Sequence, residues 1–150
     1  MIFLKADRVT QYTIAFPHKQ GSYAETYRVK DANGKTRFLK LINYSKLGRQ
    51  QLDDNGRVIE VEISKLLSHH NLCQYVDSGM LMLQGGQFAY LVTEYVSSET
   101  LSQKIIRDGE LSIYEIKQIA KAVLSALSYL HQQTIPIVHG EVTIQNVLLN

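Results

Sequence analysis

The chain has 150 residues, of which 45% are hydrophobic and 20% charged, and its net charge is +2. This composition is typical of a globular protein, and it excludes the broad basic surface of a nucleic-acid-binding protein and the roughly 18-residue apolar run of a membrane span. Cys73 is the only cysteine, so no internal disulfide can form, and we expect a reducing, cytoplasmic environment.

The first half of the chain has the alternating apolar pattern of β-strands. Three strands are predicted at residues 12–16, 22–30 and 35–44. Asn33-Gly34 lies between the last two, and it predicts a hairpin because both residues tolerate positive φ.

A polar loop follows, and then a helix that ends near Ser68. One face of this helix carries four apolar residues: Ile59, Ile63, Leu66 and Leu67. Two further strands are predicted at 71–76 and 87–96, with a turn at 82–87. We therefore expect an α+β fold whose first half is a five-stranded antiparallel sheet with one helix against it.

The second half of the chain is predicted to be mostly helical, with helices at 97–106 and 113–132. Ser112 and Glu115 form a capping box at the start of the longer helix. Its buried stripe is expected to be Ile116, Ile119, Ala120, Val123, Leu127 and Leu130. Pro136 ends helix propagation before a predicted strand, "IVH". This change of class predicts two lobes, 1–96 and 97–150.

Four segments, taken in order, resemble the protein kinase family across essentially the whole chain. They are "FLKLI", "EVEISKLLSHHNL", "YLVTEYV" and "YLHQQTIPIVHGEVTIQNVLL". The last is similar to the H-R-D-L-x-x-x-N catalytic loop of that family. The resemblance implies a kinase-like fold with the beginning of a helical second lobe, ATP and Mg²⁺ as cofactors, and phosphoryl transfer to protein Ser/Thr.

The resemblance also assigns roles to individual residues. Lys40, held by Glu60, would bind the nucleotide phosphates, and Glu62 is the less suitable partner because it points about 200° away from Glu60 on a helix. Glu141 would orient the acceptor hydroxyl, and Asn146 would be the Mg²⁺ ligand. The remaining nucleotide-binding residues would be Gly21 in the phosphate loop, Thr93, Glu94 and Val96 at the hinge, and Leu148 beneath the base.

Several residues depart from the kinase pattern. In the stretch "KQGSYA" only Gly21 remains of the three loop glycines, and Lys19 and Ala24 replace the other two. Phe38 stands two residues before Lys40 and shares its strand face, where adenine would lie. Gly140 and Thr143 remove positive charges, and Glu141 is longer than the aspartate of the family. By resemblance the chain also stops before the Asp-Phe-Gly segment, so we expect no transfer by these residues alone.

Three functions remain open at this point. The first is a protein kinase with impaired catalysis, and the second is a pseudokinase or truncated scaffold that acts by binding proteins. The third is a small-molecule kinase, because "HGE" followed by an asparagine is similar to the "HGD" loop of aminoglycoside and choline kinases. We also expect an exposed apolar face on the helix at 113–132, which would favour a partner or self-association.

Overall fold

The computed structural model describes residues 1–149, which form two compact units. The sheet unit comprises Met1–Ser68 and Gln74–Tyr95. The helical unit comprises His69–Cys73 and the chain from Val96 to the last described residue. Within residues 1–149, no helix is both long enough and apolar enough to pass through a membrane.

The sheet unit contains a six-stranded antiparallel sheet. Its strands are β1 (Arg8–Val9), β2 (Tyr12–Gln20), β3 (Ala24–Lys30), β4 (Thr36–Asn43), β5 (Tyr75–Leu83) and β6 (Gly86–Glu94), in the spatial order β1-β2-β3-β4-β6-β5. Four of the five long strands correspond to strands expected from the sequence, but the strand expected at 71–76 overlaps β5 only at Tyr75 and Val76. The two-residue β1 was not predicted, because two residues are too few to show a period.

Apolar side chains form a cluster on each face of this sheet. One cluster includes Tyr27, Leu39 and Leu41, all no more than 1% exposed. The other includes Ile42 and Leu91 together with side chains from helix α1 (Ile59–Leu66). Strand alternation therefore places the even-numbered residues of β4 on the face that α1 covers.

The buried residues of α1 differ from the sequence prediction. Val61 is 6% exposed and packs in the α1-side cluster with Val58, which precedes the helix. Leu66, by contrast, is 77% exposed. Of the predicted apolar face, Ile59, Ile63 and Leu67 are half-buried, so the prediction was wrong at Leu66 and missed Val61.

Two tight hairpins connect long strands of the sheet. The hairpin predicted at Asn33-Gly34 is confirmed, and in the β3–β4 turn only Gly34 has positive φ. The Asp31 carboxylate accepts from the backbone N–H groups of Asn33 and Lys35 at 3.0 and 2.9 Å and fixes the turn. The β5–β6 turn has positive φ at both central residues, Gln84 and Gly85, as a type I′ hairpin requires.

The helical unit consists of β7 (Glu99–Thr100), α2 (Leu101–Asp108), α3 (Ile113–His131) and β8 (Leu148–Leu149). The predicted capping box is confirmed, because the Ser112 hydroxyl accepts from the Glu115 N–H at 3.2 Å and the Glu115 carboxylate accepts from the Ser112 N–H at 2.9 Å. Lys104 on α2 then bonds to Glu115 at 3.1 Å, which ties the two helices together.

The buried side of α3 is narrower than the predicted stripe. Among its residues only Ala126 and Leu130 are buried, and Ile116, which was expected to be buried, is 51% exposed. The expected exposed apolar face is present in the described chain and includes Ile113, Tyr114, Ile116 and Leu124. The "IVH" segment forms no strand, so that prediction was wrong.

Candidate functional site

Lys40 lies in the middle of β4 and extends from the sheet face that α1 covers. It is paired across the ladder with Thr26 on β3 and Leu91 on β6. Its Nζ donates to both carboxylate oxygens of Glu60, at 2.7 and 2.8 Å. The predicted ion pair between Lys40 and Glu60 is therefore present in the structure.

The surroundings of Lys40 keep its side chain protonated. Burial lowers the pKa of this ammonium, but the Glu60 charge, the Glu60 hydrogen bonds and the Tyr23 hydroxyl outweigh that effect. The net result is a pKa of Lys40 above its ordinary value. A permanently charged ammonium on a rigid strand is suited to holding an anion such as phosphate.

Glu60 is the partner because the first turn of α1 faces β4. Glu62 points elsewhere and pairs instead with Lys65 at 2.7 Å and with Arg57 at 3.3 Å. The helical rotation of about 200° between Glu60 and Glu62 accounts for this separation of roles. The sequence argument that favoured Glu60 over Glu62 therefore agrees with the contacts.

The loop that contains Gly21 closes as a tight turn between β2 and β3. The Gly21 N–H donates to the Ala24 carbonyl at 2.8 Å. A Cβ at position 21 would lie 3.2 Å from the same oxygen, which explains the preference for glycine here. Because the Gly21 amide is used inside the turn, this loop offers fewer free N–H groups to a phosphate than an open glycine-rich loop would.

Phe38 lines a cavity of about 270 Å³ on the same sheet face as Lys40, together with Phe16, His18, Arg28 and Tyr95. The Arg28 guanidinium lies 5.7 Å from the Phe16 ring centre and 5.9 Å from that of Tyr95. The Phe38 and His18 rings meet edge to face at 5.8 Å. The ladder register, which pairs Phe16 with Arg28 and Arg28 with Phe38, creates this cage.

Phe38 was the only member of this cage that the sequence identified. The pairing of β2, β3 and β4 brings Phe16, His18 and Arg28 to Phe38. The alternating sequence pattern does not give this register, because the pairing of β2 with β3 contains two irregularities. His18 is exposed and contacts Phe38.

The predicted hinge residues lie at the end of β6 and just beyond it. The Thr93 hydroxyl donates to the Glu94 carbonyl at 3.2 Å, and the Glu94 N–H donates to the Gln74 carbonyl at 2.9 Å. Val96 is the first residue of this stretch assigned to the helical unit.

Glu141 and Asn146 lie together in the late loop of the helical unit. The Asn146 side-chain amide donates to the Glu141 carbonyl at 3.0 Å, and the Glu141 N–H donates to His139 at 3.3 Å. Gly140 has a φ of +74°, a conformation that favours glycine over a side chain such as arginine. The loop therefore holds both candidate residues through its own backbone.

The late loop is also fixed to the start of α2. The Leu101 and Ser102 N–H groups donate to the Val147 and Ile144 carbonyls at 2.8 and 2.9 Å, which satisfies first-turn donors of the helix. Leu148 follows in β8, is paired with Thr100 and is 42% exposed.

The groups suited to a metal ion are few in the described chain. Within residues 1–149, no three His, Cys, Asp or Glu side chains lie close enough together to hold one. Asn146 has a fitting donor, because its Nδ2 is bonded to the loop and no described group donates to its Oδ1. This hard oxygen suits Mg²⁺, which completes its shell with phosphate oxygens and water.

A family model and similar known sequences all indicate protein kinases. The model of the family described as "Protein kinase domain" matches residues 19–150. The chain is 28% identical over 134 residues to serine/threonine-protein kinase WNK4 of Rattus norvegicus and 29% identical over 131 residues to myosin light chain kinase A of Dictyostelium discoideum. Each match covers 87% of this chain, but only 11% of WNK4 and 42% of myosin light chain kinase A.

Two solved structures share the fold. The kinase domain of Mycobacterium tuberculosis PknI, crystallised as a double mutant, matches with a TM-score of 0.70 at 22% identity, over 99% of this chain and 58% of that one. The Rad53 structure in complex with AMP-PNP matches with a TM-score of 0.74 at 23% identity, over 93% of this chain and 34% of that one. The fold expected from the sequence is confirmed, and the chain belongs to the protein kinase domain family.

Proposed function

We propose that this chain is the ATP-binding part of a serine/threonine-type protein kinase whose catalysis is impaired. The observation that supports this most strongly is the contact between the Lys40 ammonium and both oxygens of Glu60, at 2.7 and 2.8 Å. A strand lysine fixed by a helix glutamate is what a nucleotide phosphate requires: a positive charge whose position is set in advance. In this proposal, residues 1–96 are the first lobe and residues 97–150 begin the second.

Each predicted site residue then has a separate task. Lys40 neutralises phosphate charge, Glu60 holds Lys40, and the Gly21 turn borders the phosphates. Thr93, Glu94 and Val96 would meet the base edge, and Leu148 its apolar face. The Glu94 carbonyl would accept from a base N–H, which is the kind of polar contact that fixes a ring in an apolar site.

In the proposed transfer step, the Glu141 carboxylate accepts the proton of the acceptor hydroxyl. A Ser or Thr hydroxyl oxygen attacks the γ-phosphorus, the bond from that phosphorus to the bridging oxygen breaks, ADP leaves, and the hydroxyl proton passes to the Glu141 carboxylate. Mg²⁺, bound through the Asn146 amide oxygen, would supply charge neutralisation at the phosphates. Glu141 is about 1.5 Å longer than an aspartate, and an error of about 1 Å can cost about a hundredfold in rate.

A second candidate function is a pseudokinase or scaffold that binds a protein partner. The aromatic cage around Phe38 supports it, because Phe38 and His18 occupy space on the Lys40 face of the sheet. The substitutions at the loop positions, Lys19 and Ala24, and in the late loop, Gly140 and Thr143, point in the same direction. The cytoplasmic location expected from the single cysteine remains a prediction under either function.

Thermal unfolding with and without millimolar Mg-ATP tests the proposal. We expect nucleotide to raise the melting temperature of the wild-type chain, because a ligand that binds only the folded state stabilises it. Lys40→Ala should remove that shift, whereas Lys35→Ala, at an exposed lysine in the β3–β4 turn, should not. A wild-type chain that shows no shift, but gains one in Phe38→Ala, would favour the scaffold instead.

A further inference from the structure

Three oxygen atoms of the protein lie within hydrogen-bond distance of the Lys40 ammonium. Nζ donates to both oxygens of the Glu60 carboxylate, at 2.7 and 2.8 Å, and to the Tyr23 hydroxyl at 3.1 Å. The Tyr23 ring centre also lies 4.9 Å from Nζ, within the range of a cation–π contact. Because a lysine has only three donors, a phosphate oxygen that approaches Nζ competes with these groups for them.

Tyr23 is held in this position by its backbone and its neighbours. It follows Gly21 in the loop between β2 and β3, and its carbonyl accepts from the Asn43 N–H at the end of β4, at 2.9 Å. Its ring packs against the α1-side cluster. Tyr23 therefore belongs to the proposed phosphate loop and at the same time covers the proposed phosphate ligand.

We propose that Tyr23 competes with the phosphates of a nucleotide for Lys40. The inference rests on the proposed function and adds a step to it: the Tyr23 hydroxyl leaves Nζ before a phosphate oxygen takes its place. A phosphate carries negative charge, so its hydrogen bond to an ammonium is stronger than that of a neutral phenol. Displacement is therefore favourable, but the observed affinity is the intrinsic affinity multiplied by the fraction of chains in which Tyr23 does not cover Lys40.

An alternative role for Tyr23 predicts the opposite result. If the hydroxyl served only to hold the Lys40–Glu60 pair in place, its removal would loosen the pair and weaken phosphate binding. The competing role predicts tighter binding when the hydroxyl is removed, because one donor of Lys40 becomes free. The sign of the change in affinity therefore separates the two roles.

The experiment measures binding of Mg-ATP and of tripolyphosphate to the full chain by calorimetry. Tripolyphosphate has the phosphates without a base, so it reports on the Lys40 region alone. Tyr23→Phe should tighten both ligands by about threefold to tenfold, the effect of one polar contact. Tyr75→Phe is the matched control, because Tyr75 packs against the same cluster while its hydroxyl contacts Ser78 at 3.0 Å, and it should leave both affinities unchanged.

Two further variants make the outcomes separable. Tyr23→Leu also removes the ring and should tighten binding at least as much, and Lys40→Met in the Tyr23→Phe background should abolish the gain. If wild-type binding depends on Lys40 but Tyr23→Phe leaves it unchanged or weaker, this inference is wrong and the proposed function stands. If Lys40→Met has no effect on binding, or neither the wild type nor Tyr23→Phe binds, both fail together.

Discussion

At the scale of single residues, Phe38 is the side chain that most directly opposes a nucleotide in the sheet unit. It lies two residues before Lys40 on the same strand face, and its ring meets His18 edge to face at 5.8 Å. A small residue here would leave room for a base beside the ammonium. The phenyl ring instead forms part of the wall of the 270 Å³ cavity.

We expect Phe38→Ala to raise ATP affinity by roughly tenfold, which corresponds to about 1.4 kcal/mol of binding free energy. In the wild-type chain the phenyl ring must move before the base can bind, and the alanine variant does not have this cost. Fluorescence titration with a nucleotide analogue measures this change, and far-UV circular dichroism checks that the variant is folded. Phe16→Ala is the control: Phe16 lines the same cavity but is 53% exposed and lies two strands away. Equal gains in both variants, or none in Phe38→Ala, would contradict the prediction.

The sequence identified candidate functional residues whose type is unusual at their place in the chain. It missed ordinary residues that only the folded structure brings to the site. Lys40 could be found because a lysine inside an apolar strand is conspicuous, and Glu60 because an ordered motif pointed to it. Tyr23 and Arg28 could not be found in this way. An aromatic residue in a loop and an arginine in an alternating strand are ordinary, and only the turn geometry and strand register bring them to Lys40 and Phe38.

At the scale of elements, the capping box at the start of α3 contains an ionisable residue, Glu115. The Ser112 hydroxyl, the Ser112 N–H and the Lys104 ammonium lower the pKa of Glu115 to about 2. A carboxyl whose pKa is depressed by folding stabilises the folded chain above its unfolded pKa, near 4.3. That stabilisation is lost as the pH falls from there toward 2, when the folded chain also takes up the proton.

We therefore expect the free energy of unfolding to decrease as the pH is lowered through this window, and Glu115→Gln to reduce the decrease. Glutamine keeps the capping-box acceptor for the Ser112 N–H but does not titrate there. Urea unfolding at a series of pH values, followed by far-UV circular dichroism, measures both curves. Identical pH dependence in the two chains would show that Glu115 is not a linked group. Asp108 also has a lowered pKa, through Arg107 and Lys104, so some dependence remains in the variant.

The sequence predicted elements better than it predicted their buried faces. The start of α3 follows from its capping box, which is local chemistry. Which residues of α1 and α3 are buried depends on what each helix meets, so Val61 replaced the expected Leu66 and Ile116 proved exposed. The exposed apolar face of α3, by contrast, was expected from the sequence and is present in the described chain.

At the scale of the whole chain, the buried apolar side chains are distributed unequally between the two units. Of those in residues 1–149, all but Leu101, Ala126 and Leu130 belong to the sheet unit. Because burial of apolar area is the main favourable term in folding, the helical unit has much less to hold it together. The proposed catalytic loop with Glu141 is in this less stabilised unit.

We accordingly expect native-state hydrogen exchange to show that amides of α3 open at a lower free energy than those of β4 and β6. Leu130→Ala should lower the opening free energy of α3 by about 2–5 kcal/mol, the usual cost of emptying a buried leucine site, and leave β4 unaffected. Leu124→Ala, the same substitution on the same helix at a residue that is 64% exposed, should change neither by more than about 0.5 kcal/mol. If Leu130→Ala lowered the protection of β4 as much as that of α3, the two units would unfold as one cooperative body, and the unequal burial would have no consequence for stability.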